Sequence, residues 1–210
     1  ICVLGGDTKE QESIVITVTA LGKVEKKKLL RRSGAREGDL ICVTGMMGSA
    51  AAGFYCIIKE LDIEEEIREK FVRAAMEPAA RVEAGILISG HASSCIDISD
   101  GLAWSLHEIA RASGRGFTVE MDKIPFDRDV ERVAGAAGVS VDDIIFFKGG
   151  DYELLFTIPE KNYENVRKSL AEAGGVSVIG RIKESGTLIE RDGSAVELEG
   201  TGYDSFKTRF

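Results

Sequence analysis

The stretch "SSCIDISDGL", residues 93–102, sets Asp97 and Asp100 three positions apart with Ser99 between them, where an apolar run gives way to a helix-like one. Two like charges straddling a strand-to-helix turn repel, and desolvating both without a counter-charge raises at least one pKa sharply. A cation removes the conflict. Magnesium suits the position, because it takes hard oxygen ligands and is usually held by one or two carboxylates together with substrate phosphates and water. Ser99 and the free amides of the helix start can then donate to a phosphate oxygen. The same residues also read as a plain helix cap, with the second carboxylate favoured by the positive end of the helix dipole.

Two further glycine-flanked acidic turns follow apolar strands or adjoin them. "LGGDTKE" carries Gly5, Gly6 and Asp7; "KGGDYELLF" carries Gly149, Gly150, Asp151 and Glu153. Singly, each is an ordinary turn signal. Together the three suggest a shared carboxylate cluster that binds magnesium and nucleotide phosphates. "VTGMMGSAAAG", residues 43–53, is a weaker phosphate cue: it lacks the lysine of a P-loop and does not match G-x-G-x-x-G. Its Gly45, Gly48 and Gly53 read equally well as sites of close helix packing. His91 and His107 have no partners that make a triad or a metal site, and Trp104 reads as a core or rim residue.

These turns need a scaffold. A chain of 210 residues, 44% hydrophobic, can bury a sizeable core. A formal charge of −8 argues against nucleic acid or an anionic membrane surface as partner. Cys2, Cys42, Cys56 and Cys95 lack metal-ligand spacing and read as reduced, buried thiols. No run is long and apolar enough for a membrane span and no signal-peptide pattern is present, so the chain reads as cytoplasmic.

Residues 13–24 alternate and are β-branched, which predicts a half-buried strand. "LICVTG" reads as a short buried strand and "GSAAAGFYCIIKEL" as the helix after it. Ile63, Ile67, Phe71 and Ala75 fall four apart, with Glu64 facing Arg68 and Glu66 facing Lys70 at helical spacing, which predicts an amphipathic helix limited by Pro78. Helices are expected near 81–89, 102–112, 127–138 and 161–174. Strands are expected before Asp97 and at 116–121, 152–158, 176–179 and 187–190. Interleaved helices and strands make the class α/β (α+β), and the lysine-rich stretch 26–32 is the best boundary.

The motifs "LGGDT", "LRRSGAREGD", "VTGMMGSAAAG", "PAARVEAG", "IDISDGL", "GGDYELLFT" and "GYDSF", in this order, resemble the thiamine-monophosphate kinases of the aminoimidazole ribonucleotide synthetase superfamily. That resemblance implies a two-domain synthetase-like fold, of which residues 1–27 are the remnant of an N-terminal ATP- and magnesium-binding domain and residues 28–210 the C-terminal α/β domain. The family's N-terminal segment is absent, so the chain reads as a fragment. The implied reaction is ATP-dependent phosphorylation of thiamine monophosphate to thiamine diphosphate. Mg2+ would be bound by Asp7, Asp97 and Asp100; ATP would contact Gly6, Asp7, Arg31 and Ser99. Glu153, Tyr203 and Asp151 would face the thiamine moiety, with the Tyr203 ring stacking on it. The family commonly reads G-G-E-D-Y-E-L, whereas one acidic position is absent before Asp151 here, and Ala80 replaces a frequent proline. A homodimer is implied for the complete protein.

No catalytic acid or base is required. A phosphate monoester with a second pKa near ~6 is already largely dianionic at pH 7, so the obstacle is repulsion between two polyanions. Metal ions and an arginine relieve it, and transfer is direct and in line. Alternatives are another ATP-using enzyme of the superfamily, of the ribonucleotide synthetase, hydrogenase-maturation or selenophosphate synthetase type, and a non-catalytic nucleotide-binding or assembly domain.

Overall fold

The computed structural model describes residues 2–10 and 12–204. Its centre is a seven-stranded sheet in the order β2-β4-β1-β5-β3-β6-β7. The strands are β1 Leu40–Val43, β2 Ser94–Ile98, β3 Gly116–Glu120, β4 Glu153–Ile158, β5 Ser177–Lys183, β6 Thr187–Arg191 and β7 Ser194–Glu197. Helices α1 Ser49–Ile58, α2 Glu65–Met76, α3 Val82–Ile88, α4 Leu102–Ser113, α5 Asp129–Ala137 and α6 Glu160–Leu170 interleave with them, and a π-helical turn covers Asp143–Phe147. The mixed α/β class is as expected. Among the described residues, β3 and β6 pair in parallel and every other pairing is antiparallel.

Strand alternation decides which helix packs where. Ile41 and Val43 of β1 join Ile96, Ile98 and Leu155 under α4, whereas Leu40 and Cys42 join Phe156 and Ile158 under α3 and α6. A separate cluster joins α1, α2 and α5 through Tyr55, Phe71 and Val133. There Gly53 is a contact surface: a Cβ on it would overlap the carbonyl of Phe71, so α1 and α2 approach closely only because that side chain is absent.

Three expectations need correction. Residues 13–24 form no strand and are exposed, Ile14 at 93% and Ile16 at 83%; alternation creates an apolar face, but a strand exists only where a neighbour completes its ladder, and none lies beside this segment among the described residues. The charges of α2 do not close within the helix: Glu64 pairs with Arg132 and Lys70 with Asp127 and Asp129, because α5 and the turn before it lie opposite. Cys2 is exposed, while Cys42 and Cys56 are buried and Cys95 is half-buried. Strand β7 carries no apolar alternation and is exposed throughout. Among the described residues no helix is long and apolar enough to cross a membrane.

Candidate functional site

The site is built where β2 ends. Strands β2 and β4 pair with Asp97 opposite Leu154 and Ile98 opposite Glu153. Loop 149–152, which leads into β4, folds back on the turn after β2: the Gly150 N–H donates to the Ser99 carbonyl at 2.9 Å and the Tyr152 N–H to the Ile98 carbonyl at 3.0 Å. A Cβ at Gly149 would overlap the Ser99 carbonyl, so this approach requires glycine. The C-terminal segment closes the other side, with the Tyr203 N–H donating to the Asp100 carbonyl at 2.9 Å. "DISDG", "GGDYE" and Tyr203 therefore converge.

Helix α4 begins at Leu102 with Gly101 as its N-cap and without a side-chain cap. The capping explanation for Ser99 and Asp100 fails on this geometry. Asp97 is exposed and Asp100 half-buried; among the described residues neither carboxylate makes a side-chain hydrogen bond or ion pair. The charge of Asp97 is felt nearby: burial pushes the Cys95 thiol up to about 12, and Asp97 adds to that rise.

The other two acids are engaged. Asp151 reaches the start of α1, where its carboxylate accepts the Gly48 N–H at 2.7 Å and the Ala50 N–H at 2.9 Å. The glycine-rich turn read as a phosphate cue does hold an anion, and that anion is the chain's own carboxylate. Burial lifts the Asp151 pKa to about 6, against the lowering effect of the amide donors and with Glu153 adding to the rise. Glu153 is buried and held by both arms of Arg81, Nε to Oε2 at 2.7 Å and Nη2 to Oε1 at 2.5 Å. The Thr44 hydroxyl donates to Oε2 at 2.6 Å and accepts the Leu154 N–H at 2.9 Å. Glu153 in turn holds the Arg81 pKa above its ordinary value, chiefly through the hydrogen bonds. A Cβ on Gly45 would overlap the Glu153 carboxylate.

Two clefts share Arg81 as a wall. One, of about 290 Å3, lies over Gly45, Ser49, Pro78, Asp151 and Glu153. The other, of about 390 Å3, is lined by Asp97, Tyr152, Val82, Leu154 and Pro78. Arg81, Thr44 and Tyr152 were not assigned roles from the sequence. The available signal was Glu153 itself, a carboxylate inside an apolar strand that needs a cation, although nothing local says which.

The remaining candidates lie elsewhere. Gly6 and Asp7 are in an exposed segment, where Asp7 pairs with Lys9 at 3.6 Å between two largely solvated side chains. No cluster of three or more His, Cys, Asp or Glu side chains suited to a metal forms among the described residues, so Asp7 is not gathered with Asp97 and Asp100. Arg31 is exposed, and its carbonyl accepts the Cys95 N–H at 2.8 Å, which carries its backbone alongside β2.

Residues 36–192 match the model of the AIR synthase related protein, C-terminal domain. The chain belongs to that family. It is 36% identical over 209 residues to the thiamine-monophosphate kinase of Pyrococcus horikoshii, which covers 98% of this chain and 62% of the relative. The structure of AaThiL complexed with AMPPCP and TMP superposes with a TM-score of 0.69 at 27% identity, over 84% of this chain and 54% of that one. Escherichia coli HypE, at 18% identity and a TM-score of 0.69 over 85% of this chain and 54% of its own, shares the fold. The chain thus spans less than two thirds of these relatives' lengths. Within this AIR synthase related domain, the hard oxygens of Asp97 and Asp100, which make no side-chain hydrogen bond or ion pair among the described residues, fit a divalent ion that completes its shell with water and phosphate.

Proposed function

We propose that the protein carrying this chain transfers the γ-phosphoryl group of ATP to thiamine monophosphate, giving thiamine diphosphate and ADP. The observation that carries the reading is the Asp97 and Asp100 pair, fixed by backbone at the convergence of three motifs yet left without a cap to form or a side-chain partner among the described residues. Relatives named thiamine-monophosphate kinase and a relative complexed with AMPPCP and TMP supply the substrate class.

On this reading Asp97 and Asp100 hold Mg2+, whose chemistry is to neutralise the phosphate charge that would otherwise oppose the reaction. Ser99 donates to a nucleotide phosphate, and Arg31, Gly6 and Asp7 complete the ATP contacts. For Asp7 this requires the exposed segment 2–10 to fold inward. Tyr203 bears on the acceptor's ring. Asp151 and Glu153 shape the smaller cleft as its charged floor. The chain's work is positioning: the β2–β4 ladder and the backbone bonds to Ser99 and Asp100 fix the geometry before substrate arrives, so little reorganisation remains for an in-line transfer. Residues 1–27 are read as the remnant of an N-terminal ATP- and magnesium-binding domain, residues 28–210 as the C-terminal domain, and the complete protein as a cytoplasmic homodimer.

The test is chromatographic. Magnesium-ATP and thiamine monophosphate, incubated with the full-length protein, are expected to yield thiamine diphosphate and ADP in equal amounts, and omission of magnesium is expected to stop the reaction. Bound ATP without that product would replace the reading with a sister activity of the superfamily.

A further inference from the structure

Among the described residues three non-glycines have positive φ: Glu60, Asp192 and Tyr152. The first follows the end of a helix and the second turns a hairpin, as polar residues in that region often do. Tyr152, at φ 51°, is an aromatic residue in the left-handed region, which disfavours any side chain with a Cβ. Its neighbours impose the conformation. Asp151 is clamped to the start of α1, Glu153 is held by Arg81 and Thr44, and the Tyr152 N–H is bound to the Ile98 carbonyl.

The ring does none of the holding. Tyr152 is 47% exposed, and its phenol makes no hydrogen bond among the described residues. It lines the cleft of about 390 Å3 together with Asp97 and Arg81 over the apolar Val82 and Leu154. A glycine would satisfy the backbone better, so the fold alone does not account for a tyrosine here. Arg81 is already paired with Glu153, and Val82 and Leu154 give the cleft an apolar floor, so the exposed face of the Tyr152 ring is what a planar ligand entering it meets. An aromatic face stacks on a planar ring and attracts a cationic one further through its quadrupole.

We infer that Tyr152 is a specificity-determining residue whose ring packs against the cationic heteroaromatic ring of the phosphoryl acceptor, in the cleft beside Asp97. The inference rests on the kinase reading and names the acceptor side of that same site. Its test uses Tyr152→Gly and Tyr152→Phe in the full-length protein, with thermal unfolding and separate calorimetric titrations with thiamine monophosphate and magnesium-ATP. Tyr152→Gly is expected to melt at the wild-type temperature or above it, because the strained φ is relieved. It is expected to bind thiamine monophosphate about tenfold more weakly, to raise KM with little change in kcat, and to leave ATP affinity unchanged; Tyr152→Phe keeps wild-type affinity. Unchanged thiamine monophosphate affinity in Tyr152→Gly, an equal loss for magnesium-ATP, or a melting temperature lowered by several degrees overturns the assignment while leaving the kinase reading intact. A wild-type protein that binds magnesium-ATP but no thiamine monophosphate overturns both.

Discussion

Glu153 and Asp97 lie one register step apart on the paired strands β4 and β2, on opposite faces of the sheet, and their carboxylates live in opposite circumstances. Glu153 is 5% exposed and receives three donor groups from Arg81 and Thr44. Asp97 is exposed and receives none among the described residues. A carboxylate taken out of water must be matched by the chain itself, or it shifts its pKa and neutralises. One left at the surface without a partner carries no such requirement, and its charge stays available to a ligand. The first arrangement fixes structure. The second, repeated at Asp100 on a turn that its own helix does not use as a cap, is what a cation site requires.

That contrast predicts opposite responses to loss of charge. Asp97→Asn should lower magnesium-dependent turnover about a thousandfold, some 4 kcal/mol in the barrier, while moving unfolding free energy by no more than about 0.5 kcal/mol. Steady-state kinetics beside urea denaturation would measure both, and near-normal turnover would dissolve the distinction. Arg81→Ala reverses the pattern. It strands the buried Glu153 charge, and since Arg81 keeps some contact with water the expected loss is about 3 kcal/mol of stability, at the lower end for a broken buried pair. Urea unfolding that stays within about 1 kcal/mol of wild type would mean Glu153 is less dependent on its arginine than the geometry states.

How much of this was legible beforehand follows from how local each feature is. Asp97, Ser99 and Asp100 could be singled out because residue type and spacing within one turn carry the information, but the choice between helix cap and cation site needed the position of Gly101. The partnership of Arg81 with Glu153 spans 72 positions and leaves no mark on either neighbourhood. Asp151 was legible as an acid in a glycine-flanked turn and illegible as the anion at the start of α1, because that contact joins two motifs each read alone. Residues 13–24 show the converse failure: a strong local alternation predicts a strand, yet pairing is a property of two segments. Tyr152 was passed over because backbone strain is invisible in composition.

Asp151 supplies a sharper test, since it is shielded like Glu153 but faces amides in place of a cation. Its folded pKa of about 6 lies above the ordinary 3.8. The folded state therefore holds this proton more tightly than the unfolded chain does. The sign follows: the contribution is fully present below about pH 4 and is lost as pH rises through about 6, about 3 kcal/mol in all. Asp151→Asn cannot titrate, so the stability of wild type relative to that variant should fall between pH 4 and pH 7. A difference that is flat with pH, or that grows toward neutrality, would show that the α1 amides outweigh burial and that Asp151 stays ionised throughout.

The smallest effect concerns Thr44, whose hydroxyl lies in the same buried network but carries no charge. It donates to Glu153 and accepts from the Leu154 N–H, so Thr44→Val removes one donor from a carboxylate that keeps both arms of Arg81 and leaves one half-buried amide without its partner. The expected loss is about 1.5 kcal/mol, well below that for Arg81→Ala. In combination with Arg81→Ala, the two losses should not add, because they share Glu153 as partner. Strict additivity in a double-mutant cycle would mean that Thr44 acts through the β4 backbone alone. The satisfied carboxylate would then depend on its arginine, and the contrast with Asp97 would reduce to the presence or absence of one guanidinium.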